Sequence, residues 1–535
     1  MGFGKYMNMR DFHIPGRSPV FAANAMAATS MPQATLTAIE VLKAGGNALD
    51  AAIAAAAVLS VIEPQSTGIG GDCFCLYAPA GSKKIIALNG SGRAPVSLSL
   101  DALEAKGITE LEKTSAHAVT IPGAVSAWET LLATHGSKGL DELLQPAIDY
   151  AANGFVVAPR VAADWAEVAD KLLQTKAEGL LVNGCAPVPG TIFRQKQLAE
   201  TLRSIAKYGA RAFYEGDIAA SLVHTLRERG GLHDENDFAA GLKGAEFVNP
   251  ISGKFAGHDV WECPPNGSGI VALMLMGIMD GFPASSDPLD LLRLHRHVEA
   301  ARLVYRDRDA FVADPSQSEV PVSHLLSPEY LGALRNLIDD TRALPTLPPA
   351  GKPHMDTVYL SVVDAQGNVC SFINSLYESF GSGIWDPQTG VVLHNRGLGF
   401  QLERGHPNCI APNKRPMHTI IPAMTTKDGE PQIVFGVMGG HFQPMGQSWV
   451  LANILQYGLD PQAAIDLPRL FPALGVVNTE SGIPQSTRDA LAALGHRIHV
   501  PERPHGGGQA IVIDRANGVL IGGSDPRKDG CALGY

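Results

Sequence analysis

The sequence predicts an α+β protein, on two textures and the break between them. Apolar residues recur at helical spacing through much of the first two thirds of the 535-residue chain. After residue 357 short, β-rich runs bounded by turns take over. Between the two lies "PTLPPAGKPHMD" (345–356), rich in proline and without apolar period, which reads as an exposed connection. It is the sharpest composition shift in the chain.

The elements follow in order. "PQATLTAIEVLKAGGNALD" is a helix that Gly45-Gly46-Asn47 stops, and the next helix, from Asp50, is apolar all round and so belongs in a core. "EPQSTGIGGDCFCLYAP" turns through glycines into a strand, and "KKIIALNGSGRAP" gives another that ends in a turn carrying Arg93. From about 124 to 345 the chain reads as mainly helical, in "VSAWETLLATHG", "ADWAEVADKLL", "RQKQLAETLRSIAKYG" and "LLRLHRHVEAARLVYR". Beyond Thr357, "TVYLSVVD", "GNVCSFIN", "GVVLHN" and "PQIVFGVMGG" read as strands. "SWVLANILQYGL" is a short helix and "GQAIVIDRANGVLIGGSD" a hairpin.

Composition narrows the function classes. Hydrophobic residues make up 45% and charged residues 18%, a globular balance. A formal net charge of −11 with scattered basic residues argues against a nucleic-acid or anionic-membrane partner. The seven cysteines fit neither a zinc pattern nor a CxxC redox pair, so they read as reduced and structural. The first twenty residues show no signal-peptide apolar region, and "AAIAAAAVLSVI" (51–62) is too short to span a bilayer. The expected location is the cytoplasm.

Several catalytic motifs are missing. There is no phosphate-binding G-x-x-x-x-G-K-[ST], no H-E-x-x-H and no G-x-S-x-G. His295 and His297, two apart, cannot share a helix face as zinc ligands, so neither metal nor organic cofactor is expected. "NGSG" occurs at 89–92 and 266–269 and reads as turns. One pair stands out, Asp356–Thr357, just where the connection meets a strand. A second Asp-Thr pair, 340–341, ends a helix and leads to nothing. A threonine released at 357 would place a new α-amine beside its own hydroxyl. That amine, with a reference pKa of about 7.7–8.0, can serve as the base a lone threonine nucleophile needs.

The stretch "DTVYLSVVDAQGNVCSFINSLYESFGSGI" (356–384) resembles the processing site of the γ-glutamyltranspeptidase family of N-terminal-nucleophile hydrolases. Further pieces match in order: "AGGNALDAAIAAAAVLSVIEPQSTGIGGDCF" (44–74), "NGSGRAP" (89–95), "VTIPGAVSAW" (119–128), "APNKRP" (411–416), "VMGG" (437–440) and "GGSDPRKDGCALGY" (522–535). The resemblance implies a four-layer αββα sandwich and a precursor that cuts itself between Asp356 and Thr357. The products would be a large subunit, 1–356, and a small one, 357–535, held as one unit, with pairing of such heterodimers possible. By the same resemblance Thr357 is the nucleophile and Ser375 supports its hydroxyl. Gly439 and Gly440 supply oxyanion-hole N–H groups, and Arg93 grips a substrate carboxylate.

The departures bear on the substrate. The family segment N-[EQ]-x-x-D-F, which holds the glutamyl α-amine, is "HNRGLGF" (394–400) here, with Arg396 for the acidic or amide residue and Gly399 for the aspartate. A cation there would repel an ammonium. His418 and Thr419 stand where transpeptidases have adjacent serines, and Tyr377 where an asparagine lies near the nucleophile. These features resemble the branch of acylases, oxamate amidohydrolases and glutathione-hydrolase-like proteins. The expectation is an amidohydrolase for a small carboxylate-bearing amide, with possible acyl transfer. Arg93, Arg396, Tyr377, His418 and Thr419 would contact the substrate. A glutathione hydrolase or γ-glutamyltransferase is the alternative, and an uncleaved binding homologue the alternative of another class.

Overall fold

The segment "VYLSVV" has no polar face to turn to water. In the computed structural model the strand Val358–Val363 is buried at every position. Its alternate side chains enter different cores, as the twofold strand period requires. Val358, Leu360 and Val362 pack with the all-buried helix Ala48–Ile62, whereas Tyr359 and Val363 lie among residues of a second sheet. One strand therefore reports a helix layer on one side and a sheet on the other. The structure describes residue 13, residues 16–345 and residues 357–535, so Asp356 and most of the proline-rich connection lie outside the described residues.

Two seven-stranded antiparallel sheets form the middle of the molecule. One has the order Cys531–Gly534, Met26–Thr29, Val358–Val363, Val369–Ser375, Asp72–Ala78, Ile86–Gly90 and Glu246–Val248. The other has the order Val20–Ala22, Val519–Ser524, Gly507–Asp514, Glu430–Met438, Ala423–Lys427, His258–Glu262 and Ile251–Phe255. Helices Pro32–Lys43, Ala48–Ile62 and Ala124–His135 cover the outer face of the first sheet. Helices Gly269–Met279, Leu291–Phe311 and Gln443–Leu455 cover that of the second. The result is the expected αββα sandwich.

Local chemistry fixes the ends of the buried helix. Asn47 caps it by accepting the N–H groups of Leu49 (2.9 Å) and Asp50 (3.0 Å), and the Asp50 carboxylate returns to the Asn47 N–H at 2.8 Å. This capping box starts the helix at Ala48 rather than at Asp50.

Two elements differ from expectation. The 124–345 region is not helical throughout, because Glu246–Val248 and Ile251–Phe255 are edge strands and His258–Glu262 is the strand next to an edge. "GVVLHN" forms no strand, only an isolated bridge between Val392 and Trp385, because glycines at positive φ (Gly381, Gly383, Gly390) bend the chain around it.

Candidate active site

Strand register brings the first two residues of the site together. Val358 pairs with Asn374, so Thr357 falls opposite Ser375 at the end of the neighbouring strand. Their hydroxyls lie 3.0 Å apart, and Thr357 is 1% exposed. The Ser375 hydroxyl also accepts the backbone N–H of Tyr377 at 2.9 Å, which fixes it as the chain leaves the strand. Tyr377 makes that exit at φ +78°, a left-handed conformation uncommon for a bulky residue.

The opposite sheet supplies the second side. Ser361 donates to the Val434 carbonyl at 3.3 Å, and a Cβ on Gly436 would strike the Tyr359 ring at 2.4 Å. The strands thus run past each other two residues per step, and a further step in the same direction leads from Thr357 toward Met438 and the Gly439–Gly440 turn. Both glycines have positive φ, +124° and +57°. His441 follows, its Nδ1 accepting Arg308 Nη1–H at 2.8 Å and its Nε2 3.4 Å from the Tyr377 hydroxyl. The Tyr305 hydroxyl holds the His441 carbonyl.

Arg396 stands over the other face of this cluster. Its guanidinium carbon lies 3.8 Å from the centre of the Tyr377 ring, and Nη1 donates to the Thr419 hydroxyl at 3.0 Å. It is 1% exposed, yet Nε and Nη2 have no hydrogen-bond partner. Burial pulls its pKa down to about 10, with Tyr377, Asp72 and Glu378 opposing, so it stays charged at neutral pH. The absent aspartate has a steric reason: a Cβ at Gly399 would come within 2.4 Å of the Met417 carbonyl oxygen. Only glycine fits that approach.

The other expected contacts are placed differently. His418 is fully buried and donates through Nε2 to Asp72 Oδ2 at 2.9 Å, while its Nδ1 accepts the Ile420 N–H at 3.3 Å. Burial first, then the Arg396 charge, lowers it to about 3. Asp72 also accepts the N–H groups of Gly92 (3.1 Å) and Gly123 (3.2 Å), so this pair braces the strands behind the site. Arg93 does not join the cluster. Its guanidinium faces Asp314 at 3.2 Å, Glu246 at 3.8 Å and the Asn413 carbonyl at 3.0 Å, beside a cavity of about 450 Å³. Arg415 shares both acids, pairing with Glu246 and donating its backbone N–H to Asp314, so two cations meet two carboxylates there.

Sequence reasoning missed His441, Arg308 and Asp72. The position of His441 directly after Gly439–Gly440 was the one signal available for it; the other two become visible only when distant elements pack. Among the described residues no cluster of histidine, cysteine, aspartate or glutamate could hold a metal ion.

A threonine hydroxyl at the head of an inner strand, in two packed sheets flanked by helices, defines an N-terminal-nucleophile amide hydrolase. Comparison with known proteins agrees. The γ-glutamyltranspeptidase family model matches residues 34–535, and the chain belongs to that family. It is 36% identical to the glutathione hydrolase-like YwrD proenzyme of Bacillus subtilis, over 92% of this chain and 95% of that one. It is 34% identical to the oxamate amidohydrolase proenzyme of Klebsiella pneumoniae, over 96% and 99%. The crystal structure of cephalosporin acylase from Bacillus halodurans superposes with a TM-score of 0.91 at 39% identity, covering 99% of each chain.

Proposed function

We propose that the protein cuts itself between Asp356 and Thr357 and then hydrolyses the amide of a small substrate whose acyl part carries a carboxylate. In the first reaction the Thr357 oxygen bonds to the Asp356 carbonyl carbon, the peptide C–N bond breaks, and the hydroxyl proton passes to the new amine. Water then hydrolyses the ester, leaving the Asp356 carboxylate and a free threonine. In the second, the α-amine takes the hydroxyl proton while the oxygen attacks the substrate carbonyl. Ser375 orients the hydroxyl, and the N–H groups at Gly439–Gly440 meet the charge on the tetrahedral oxygen. The proton passes to the departing amine, and water cleaves the acyl-enzyme. An amine in place of water would give transfer.

The observation that carries the substrate class is Arg396: a buried cation, stacked on the residue that hydrogen-bonds Ser375, with two N–H groups unspent. A carboxylate satisfies both and neutralises the charge; an ammonium would add a second cation to the same space. Tyr377 and Thr419 hold the guanidinium in place, and the anion-binding task passes from Arg93 to Arg396. Free thiols at all seven cysteines support a reducing compartment, and we place the protein in the cytoplasm.

The test uses purified protein. Denaturing electrophoresis with N-terminal sequencing should give two bands, the smaller beginning at Thr357. A panel of oxamate, glutaryl-p-nitroanilide and γ-glutamyl-p-nitroanilide should show turnover of the first two well above the third. Preference for the γ-glutamyl compound would overturn the reading of Arg396.

A further inference from the structure

A second cavity lies in the helix layer over the other sheet. It measures about 350 Å³ and is enclosed by the end of helix Gly269–Met279 with the loop after it, the start of helix Leu291–Phe311 and the end of helix Gln443–Leu455. Met279, Phe282, Leu292 and Ala452 make apolar walls. Small-molecule pockets commonly run from about 300 to 1,000 Å³ with this kind of lining and a few placed polar groups.

Two of those polar groups are unusual. Arg293 is 7% exposed and no carboxylate among the described residues pairs with it. Its guanidinium lies between the Trp449 ring (4.0 Å) and the Tyr457 ring (4.3 Å), and its edges donate to the Pro288 carbonyl (2.6 Å) and the Asn453 side-chain oxygen (2.7 Å). Those acceptors are neutral, and Asp287, whose charge favours the cation from nearby, forms no ion pair with it among the described residues. His297, 2% exposed, lines the same cavity one helical turn on and stacks on Trp449 at 5.7 Å. Neither of its ring nitrogens has a partner. Burial, with the Arg293 charge adding to it, lowers its pKa to about 3, so at neutral pH it offers one N–H and one lone pair. Arg296 adds positive charge, already matched by Asp340 at 2.7 Å and 2.5 Å. The Asp290 carboxylate is occupied in capping the helix through the N–H groups of Leu292 and Arg293.

Buried charges are ordinarily paired, and buried polar groups hydrogen-bonded. Here an unpaired cation and an unspent imidazole face one apolar-walled space. We propose that this cavity is a second binding site, separate from Thr357, for a small monoanion with an apolar body: an aryl or alkyl carboxylate. The carboxylate would lie against Arg293 and accept the His297 N–H, and the hydrocarbon part would lie along Phe282, Leu292 and Met279.

Benzoate is the probe, titrated calorimetrically into the purified protein, with benzyl alcohol as the uncharged match. Benzoate should bind and benzyl alcohol should not. His297→Leu should weaken benzoate at least tenfold, and Arg396→Met, at the Thr357 site, should leave its affinity unchanged. Should His297→Leu fail to fold, Gln456→Trp, at the half-buried rim, should exclude benzoate by filling the space. No benzoate binding to the unaltered protein would overturn the proposal. So would binding that survives both cavity variants, or that disappears with Arg396→Met. The Arg396 control keeps this outcome apart from that of the proposed activity.

Discussion

At the residue scale, the proposed function puts the chemistry on Thr357 and the selectivity on Arg396. Thr357→Ala should run as a single full-length band and show no turnover, whereas Thr357→Ser, which keeps a hydroxyl opposite Ser375, should still process. Arg396→Met keeps the bulk over Tyr377 but removes the charge. Hydrogen bonds to charged groups contribute about 1.5–3 kcal/mol. KM for a carboxylate-bearing amide should therefore rise roughly tenfold to a hundredfold, and that for the matching uncharged amide should not. Equal losses on both would assign Arg396 a structural role. Thr357 was legible as the residue of an Asp-Thr pair that opens a plain strand pattern, and Ser375 through the family resemblance; strand pairing then sets them opposite. Arg93 was not legible in the same way. Its surroundings come from a pair of acids, Asp314 and Glu246, that the fold brings to it from far along the chain.

At the scale of elements, the turn after strand Glu430–Met438 is the sensitive one. At φ +57° Gly440 occupies the left-handed region that other residues can enter at modest cost, but Gly439 at +124° does not. A Cβ at Gly439 would also come within 3.1 Å of Gly506. Strain of about 1–3 kcal/mol, placed beside the nucleophile, should make Gly439→Ala lose far more kcat than Gly440→Ala. Steady-state kinetics on the two processed variants compares them. Strongly apolar elements such as Ala48–Ile62, and the hairpin Gly507–Asp514 with Val519–Ser524, were readable from pattern alone. The edge strands within 246–262 were not, since their half-buried alternation is short and sits amid helices. Partner strands from elsewhere in the chain make sheets of them: Ile86–Gly90 takes up Glu246–Val248, and Ala423–Lys427 takes up the hairpin of Ile251–Phe255 and His258–Glu262.

At the scale of the molecule, buried histidines set the acid limit. His233, His496 and His505 lie at about 4 and His297 and His418 at about 3, in each case chiefly through burial. Folding therefore favours their neutral forms. The unfolded chain binds protons below its own value of about 6.5 that the folded chain does not, so stability is full above that pH and lost from there down to about 4 for three of them and about 3 for His297 and His418. Each fully titrating histidine contributes a slope of about 1.4 kcal/mol per pH unit. Glu63, pushed up to about 7, and Glu262, also raised by burial, oppose this, but the histidines outnumber them. The melting temperature should fall steeply between pH 6 and 4.5; a flat profile there would contradict buried neutral histidines.

The interleaving of the sheets has a consequence for the order of the folding reaction. In the first sheet, strands from beyond residue 357 lie between Met26–Thr29 and Asp72–Ala78, and Met26–Thr29 is itself flanked by two of them. Neither piece of a chain cut at 357 owns a complete sheet. Before the cut, reaching the native state is a unimolecular event; after it, the same state requires two molecules to meet. The refolding yield of denatured Thr357→Ala should be independent of protein concentration, and that of the processed protein should climb with it. The cut that frees the nucleophile would also make unfolding, at cellular dilution, a step without return.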